Sequence, residues 1–119
     1  MRMLAFLAML FFATIPAHPS EPCTVIHGRA HLYNGDGQLR IWHIGTHHEY
    51  TPEDSSWPRV TKWLEEGVKD IDKHNYVSPA SAFYLYADFL VCPVEPFRKG
   101  SVQRAVIRSA THRQYVRVK

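Results

Sequence analysis

Three histidines close together in the sequence are well suited to metal chemistry. His43, His47 and His48 fall within six positions, and Glu49 follows them directly. Imidazole is the commonest metal ligand in proteins, so three of them at the end of one strand could hold Zn²⁺ or Cu²⁺. In an extended chain, however, the adjacent His47 and His48 point to opposite faces. Two interpretations follow: a metal site, or histidines of a polar surface loop in a protein without a cofactor.

Basic and aromatic residues form a second candidate site. The segment 98–119 carries seven basic residues and no acid, whereas 49–72 carries seven acids and three bases. OB domains bind single-stranded nucleic acid or oligosaccharide on surfaces of this composition. Alternatively, the aromatic rings belong to the core and the arginines pair with the acidic segment. The predicted binding residues are Arg40, Trp42, Tyr84, Tyr86, Arg104 and Arg108.

No pattern typical of an enzyme is present. The chain has no nucleophile motif, no catalytic carboxylate pair and no phosphate-binding loop. Asp88 lies in an apolar segment, where a buried carboxylate needs a partner, and Arg40 is a candidate. A strand face with Trp42 and Ile44 exposed would make an anchor for another protein. We therefore predict a non-catalytic protein with a binding or protein-interaction role.

The first 17 residues have the composition of a secretory signal peptide. Arg2 supplies a basic start, Leu4–Ile15 is an almost wholly apolar run of 12 residues, and Ala17 is a small residue at the predicted cleavage point. The run is shorter than the roughly 20 residues of a membrane span. The alternative is an uncleaved anchor or a buried helix. Cleavage after Ala17 predicts a periplasmic or secreted protein with no remaining transmembrane segment.

Export affects how the two cysteines and the net charge are interpreted. Cys23 and Cys92 both follow the predicted cleavage point. In an oxidising compartment they predict one disulfide, worth about 4 kcal/mol in the chain-entropy model, the alternative being two free thiols. Without Arg2 the chain has 13 basic and 11 acidic residues, a weak excess. Export disfavours nucleic acid as a partner, and leaves an envelope protein or an anionic glycan.

Alternating apolar residues predict a β-hairpin near the N-terminus of the exported chain. Residues 24–33 and 38–44 both alternate with period 2. Between them lies Asn-Gly-Asp-Gly, whose residues supply the positive φ angles of tight hairpin turns. Residues 47–50 follow as either a short third strand or a loop.

The second half of the chain predicts one helix and two strands. The helix begins near Pro58, since proline suits the first helical turn, and ends near residues 73–75. Gly67 weakens it by up to about 1 kcal/mol relative to alanine. Residues 82–92 are apolar on both alternating faces and predict a strand buried on both sides. Residues 102–109 are the last clear strand.

The order of these elements predicts a mainly β fold with one helix, an OB-like five-stranded barrel. In that barrel the first and fourth strands are antiparallel neighbours, so Cys23 and Cys92 would lie within the roughly 7 Å that a disulfide requires. The alternative is an open antiparallel sheet with one packed helix. Residues 18–110 form the predicted domain, and 111–119 form a basic C-terminal tail or a short extra strand.

Two segments resemble small exported bacterial proteins of no assigned function. They are 28–46, with G-R, Y-N-G and L-R-I-W-H-I-G-T, and 86–93, with Y-A-D-F-L-V-C-P. The resemblance implies export and a compact domain. It implies no activity, ligand or partner.

Overall fold

The computed structural model describes residues 21–33, 35–71 and 80–118, except for the side chains of residues 70 and 71. The predicted signal peptide lies outside them. The elements are β1 (Thr24–Leu32), β2 (Leu39–His43), β3 (Glu49–Pro52), α1 (Trp57–Ile71), a 3₁₀ turn (Ala80–Ala82), β4 (Phe83–Pro93) and β5 (Gln103–Arg117). The five strands close into a barrel in the order β1, β2, β3, β5, β4, which is the OB-like topology. The predicted fold is therefore confirmed, and the open sheet is wrong.

The predicted N-terminal hairpin is confirmed as β1 and β2. Gly35 and Gly37 have φ angles of 118° and 68°, which the turn needs and which glycine adopts without strain. The apolar residues of the alternating pattern point into the barrel and are buried. These inward residues include Ile26, Ala30, Leu39 and Ile41.

The third strand exists, but it begins at Glu49, two residues after the predicted start. Tyr50 is buried in the core, and its position pairs with Gln103 of β5 in the one parallel pairing of the barrel. This pairing closes the barrel. It also leaves His47 and His48 in the connection that precedes β3.

Helix α1 packs against the barrel through Val60, Trp63 and Leu64, which are all buried. Gly67 lies against β5: a Cβ atom built there would be 2.0 Å from the Tyr115 ring. The glycine is therefore required by close packing, although in an isolated helix it would only be a weak helix former. The predicted helix end at 73–75 lies outside the described residues.

From Phe83 to Leu90, strand β4 is buried on its inner face only. Phe83, Leu85, Ala87 and Phe89 are buried, while the alternate residues are half-buried. The prediction of burial on both faces is therefore wrong. Both neighbours of β4 are antiparallel to it, and no helix of the described residues covers this face, so its outer side chains contact solvent even when they are aromatic.

In place of the tail predicted after residue 110, β5 continues to Arg117 and pairs with the first half of β4. The pairing shifts register between Tyr86 and Asp88, and nearby His112 has a φ of 53°. This bulge interrupts the alternating pattern, which explains why the strand could not be followed in the sequence. Beyond it, the Tyr115 hydroxyl donates a hydrogen bond to the Trp63 carbonyl oxygen at 2.8 Å.

The predicted disulfide joins Cys23, just before β1, to Cys92 on β4, with the two Cα atoms 4.1 Å apart. It links the two neighbouring strands β1 and β4 at one end of their pairing, as the barrel topology predicts. Within the described ranges, no helix combines the length and apolar character that crossing a membrane requires.

Candidate ligand-binding face

The outer surface of β1, β2 and β4 collects most of the predicted binding residues. Across the sheet, Arg29 pairs in register with Trp42 on one side and Tyr86 on the other, and His31 pairs with Arg40. Residues at alternate positions along each strand point to this same surface. We call it the aromatic–arginine face, and its residues are Arg29, His31, Tyr33, Arg40, Trp42, Tyr84 and Tyr86.

Arg29 lies at the centre of the aromatic–arginine face. Its guanidinium carbon is 5.0 Å from the centre of the Trp42 ring and 4.4 Å from that of Tyr84. Such contacts are worth about 0.5–1 kcal/mol each at exposed sites. Among the described residues, no carboxylate forms an ion pair with Arg29. No described carboxylate therefore neutralises its charge, and its N–H groups can donate to an anion.

Trp42 is held in place by the backbone beside it. Its indole Nε1–H donates to the Thr46 carbonyl oxygen at 2.7 Å. Thr46 is itself fixed, because its hydroxyl donates to the His43 carbonyl oxygen at 2.7 Å. The indole ring therefore has a defined orientation, half-buried at the surface.

Four rings continue the face toward the β1–β2 turn. The His31 ring centre is 4.7 Å from that of Tyr33 and 4.6 Å from that of Tyr84. Tyr84 and Tyr86 meet edge to face at 6.5 Å. His31 is fixed because its Nδ1 lies 3.1 Å from the carbonyl oxygen of Phe83 and donates to it. The result is a continuous aromatic surface across two strands.

Arg40 is bound within the protein, unlike Arg29. Its Nη1 is 3.2 Å from the Glu49 carboxylate, and its Nε donates to the Gln38 side chain at 3.0 Å. The predicted pairing of Arg40 with Asp88 is therefore wrong, because β1 lies between the two strands that carry them. Arg40 lines a shallow depression at the end of the hairpin, together with Tyr33, Asp36 and Gln38.

Asp88 has two histidine partners at the other end of the same outer surface. Its carboxylate oxygens lie 3.1 Å from His27 Nδ1 and 3.0 Å from His112 Nδ1. The hydrogen bond from His27, followed by that from His112, lowers the pKa of Asp88 below its ordinary value. The three side chains connect β1, β4 and β5.

The structure separates Arg104 and Arg108 from the other predicted binding residues. Both lie on β5, which has β3 and β4 as its neighbours. The backbone N–H of Arg104 donates to the Glu95 carboxylate at 2.8 Å, and the Arg104 Nε lies 3.4 Å from the same carboxylate. The backbone hydrogen bond lowers the pKa of Glu95. Arg108 is exposed to solvent. The face therefore contains Arg40, Trp42, Tyr84 and Tyr86, but neither Arg104 nor Arg108.

The predicted histidine cluster is dispersed. His43 is half-buried at the end of β2, and His47 is exposed. The His48 ring lies 4.2 Å from Tyr50 and its Nε2 is 2.8 Å from the Oε1 of buried Gln103, so this imidazole is used in packing. Within residues 21–33, 35–71 and 80–118, no group of three potential ligands is arranged to hold a metal ion.

Arg29 and His31 are not among the predicted binding residues, although the sequence contains a signal for them. A hairpin centred on Asn-Gly-Asp-Gly, with Tyr33 opposite Gln38, places Arg29 opposite Trp42. The aromatic contacts with β4 have no such local signal, since β4 follows more than 50 residues later.

Comparison with protein-family models, with curated proteins and with solved structures finds no match to this chain. The resemblance of 28–46 and 86–93 to small exported bacterial proteins therefore stays a prediction.

Proposed function

We propose that this protein is a non-catalytic binding domain of the cell envelope and that the aromatic–arginine face is its binding surface. One observation carries the proposal: the Arg29 guanidinium lies over the rings of Trp42 and Tyr84 and forms no ion pair with a described carboxylate. A cation held in a fixed position on an aromatic surface is prepared to receive an anionic group without reorganising.

A location outside the cytosol is supported by two independent features. The sequence of residues 1–17 is typical of a secretory signal peptide. The Cys23–Cys92 disulfide fits an oxidising compartment, the periplasm or the exterior of the cell, because disulfides are rare in reducing compartments.

A binding role without catalysis is supported by the carboxylates of this surface. Glu49 is held by Arg40, and Asp88 is held by His27 and His112. A carboxylate engaged in this way contributes to the rigidity of the sheet. The hydroxyls of the tyrosines on the face, by contrast, form no hydrogen bond with the described residues and can serve a ligand.

The proposal is tested by capture from an envelope extract on the immobilised exported chain. Bound carbohydrate and bound protein are measured separately for the native chain, Arg29→Ala, Trp42→Ala and Arg108→Ala. Arg108→Ala is the matched control, because it removes the same charge from an exposed position away from the face. We expect capture by the native chain and the control, and its loss with Arg29→Ala and Trp42→Ala. Equal capture by all four forms would contradict the proposal.

A further inference from the structure

We infer that the ligand of the aromatic–arginine face is a carbohydrate bearing carboxylate groups, an oligosaccharide that contains uronic acid. This inference rests on the proposed function and specifies its ligand. Three features of the face support it: its charge balance, the half-buried setting of most of its rings, and the polar atoms available beside the rings.

The charge balance disfavours a densely charged polymer. Arg40 is neutralised by Glu49, and Asp88 lies at the end of the same surface between two histidines. One arginine of the face, Arg29, is left without a carboxylate among the described residues. Proteins that follow a phosphate backbone neutralise many charges along it. A single available guanidinium suits a ligand with widely spaced anionic groups, and its planar fork matches a carboxylate.

The half-buried setting of most rings on the face also disfavours a protein partner. The large exposed hydrophobic residues of the described chain are Val25, Tyr33, Phe97 and Val116. Tyr33 belongs to the face, and Val116 borders it, because it pairs in register with Tyr84. A stable protein interface normally buries about 800 Å² on each side around apolar or aromatic anchors that enter pockets. Apart from Tyr33, the rings of the aromatic–arginine face are half-buried and set into a sheet.

A sugar ring fits the groups that remain. A pyranose has an apolar C–H face that packs on aromatic rings and a rim of hydroxyls that exchange hydrogen bonds. The hydroxyls of Tyr84 and Tyr86 form no hydrogen bond with the described residues and lie on the same face as Arg29. Toward the hairpin turn, the depression at Gln38 and Arg40 adjoins Tyr33 and offers further polar atoms. Several sugar units could therefore follow the sheet, with one carboxylate at Arg29.

The experiment titrates the exported chain with three hexamers of matched length: oligogalacturonate, a neutral glucose oligomer and a thymidylate oligomer. Binding is followed by the ¹H–¹⁵N signal of the Trp42 indole, whose N–H is fixed to Thr46. We expect oligogalacturonate to shift this signal, with a weak dependence on salt because one charge is engaged. The neutral oligomer should bind about tenfold more weakly, the loss expected when one charge-assisted contact is missing.

Two variants connect the result to Arg29. Arg29→Ala should weaken oligogalacturonate binding about tenfold or more, whereas Arg108→Ala should leave it unchanged. Arg29→Met keeps the length and packing of the side chain and serves if Arg29→Ala fails to fold. Equal weakening by Arg29→Met and Arg108→Ala would overturn the inference, since it would mean attraction by net charge alone.

The outcomes separate this inference from the proposed function. Tighter binding of the thymidylate oligomer with a steep salt dependence overturns the carbohydrate inference but keeps the face as a binding surface. The same holds if no hexamer shifts the Trp42 signal while the capture experiment still recovers a protein through Arg29. If oligogalacturonate shifts signals on β5 and leaves Trp42 unchanged, both proposals fail.

Discussion

Two arginines of β5 and the arginine at the centre of β1 carry the same charge in different surroundings. On β5, Arg104 lies 3.4 Å from the Glu95 carboxylate and Arg113 lies 2.7 Å from that of Glu66. On β1, Arg29 lies over two aromatic rings and pairs with none of the described carboxylates. A paired guanidinium already has its electrostatic partner. The number of basic residues along a strand is therefore a poorer guide to a binding surface than whether each basic side chain already has a carboxylate partner.

The two regions also differ in what covers them. The second half of β5 packs on α1, where the Tyr115 ring occupies the space left by Gly67 and the Tyr115 hydroxyl bonds to Trp63. No element of the described chain covers the outer surface of β1 and β4, whose side chains are half-buried or, as at Val25, exposed. Interaction with a helix makes β5 structural, whereas the aromatic–arginine face stays accessible.

Removal of the Cys23–Cys92 disulfide, which links β1 and β4, should have the largest effect on stability. We expect the Cys23→Ala, Cys92→Ala double variant to lose about 4 kcal/mol of unfolding free energy, because the bond closes a loop with a sequence separation of 69 residues. Urea unfolding measures the loss, and the reduced native chain should match it. A double variant as stable as the oxidised native chain would show that the disulfide does not stabilise this pair of strands.

The β5 side is tested by Gly67→Ala, which should lower the unfolding free energy by about 1–3 kcal/mol. The new methyl group would lie 2.0 Å from the Tyr115 ring and force it to move. In an exposed helix the same change stabilises, so the sign of the effect is diagnostic. The cost should shrink when Tyr115 is also replaced by alanine. A stabilising Gly67→Ala would refute the close packing of α1 on β5.

Paired and solvated arginines of β5 are distinguished by Arg113→Ala and Arg108→Ala. Arg113 contacts Glu66, donates to the Ala110 carbonyl oxygen at 3.1 Å and lies 5.7 Å from the Trp63 ring centre. Its removal should cost about 1 kcal/mol, since partly exposed ion pairs and cation–π contacts are individually weak. Arg108→Ala should change the unfolding free energy by less than about 0.5 kcal/mol. Equal losses would remove the distinction between the two arginines.

The smallest expected effect concerns Asp88. Because its pKa is lowered in the folded state, the folded chain binds fewer protons than the unfolded chain between that pKa and the ordinary value of 3.8. Its contribution to stability is therefore complete above the ordinary value and is lost as the pH falls through the folded pKa. Asp88→Asn should make the unfolding free energy depend less on pH in this window. Asp54→Asn, at an exposed position, should leave the pH dependence unchanged. Identical curves for the two variants would contradict this assignment.

The parts of the fold that could be predicted depend on local signals. Alternation and the Asn-Gly-Asp-Gly turn identify the hairpin, and the order of elements with two cysteines identifies the barrel. The extent of β5 could not be predicted, because the bulge near His112 interrupts its pattern. The role of Gly67 could not be predicted either, since it depends on a ring 48 positions away along the chain.

By itself, the sequence determined the β-hairpin and the helix, because these depend on periodicity and on turn residues close together in the chain. It also predicted the pairing of Cys23 with Cys92 and the OB-like order of strands, which follow from the order of the elements. Only the tertiary structure decided which charges are neutralised. That outcome depends on the register of β1 against β2 and β4, which places Arg29 over Trp42 and Tyr84. Whether a guanidinium contacts a carboxylate or an aromatic ring depends on the assembled surface, and it cannot be predicted from the composition of one segment.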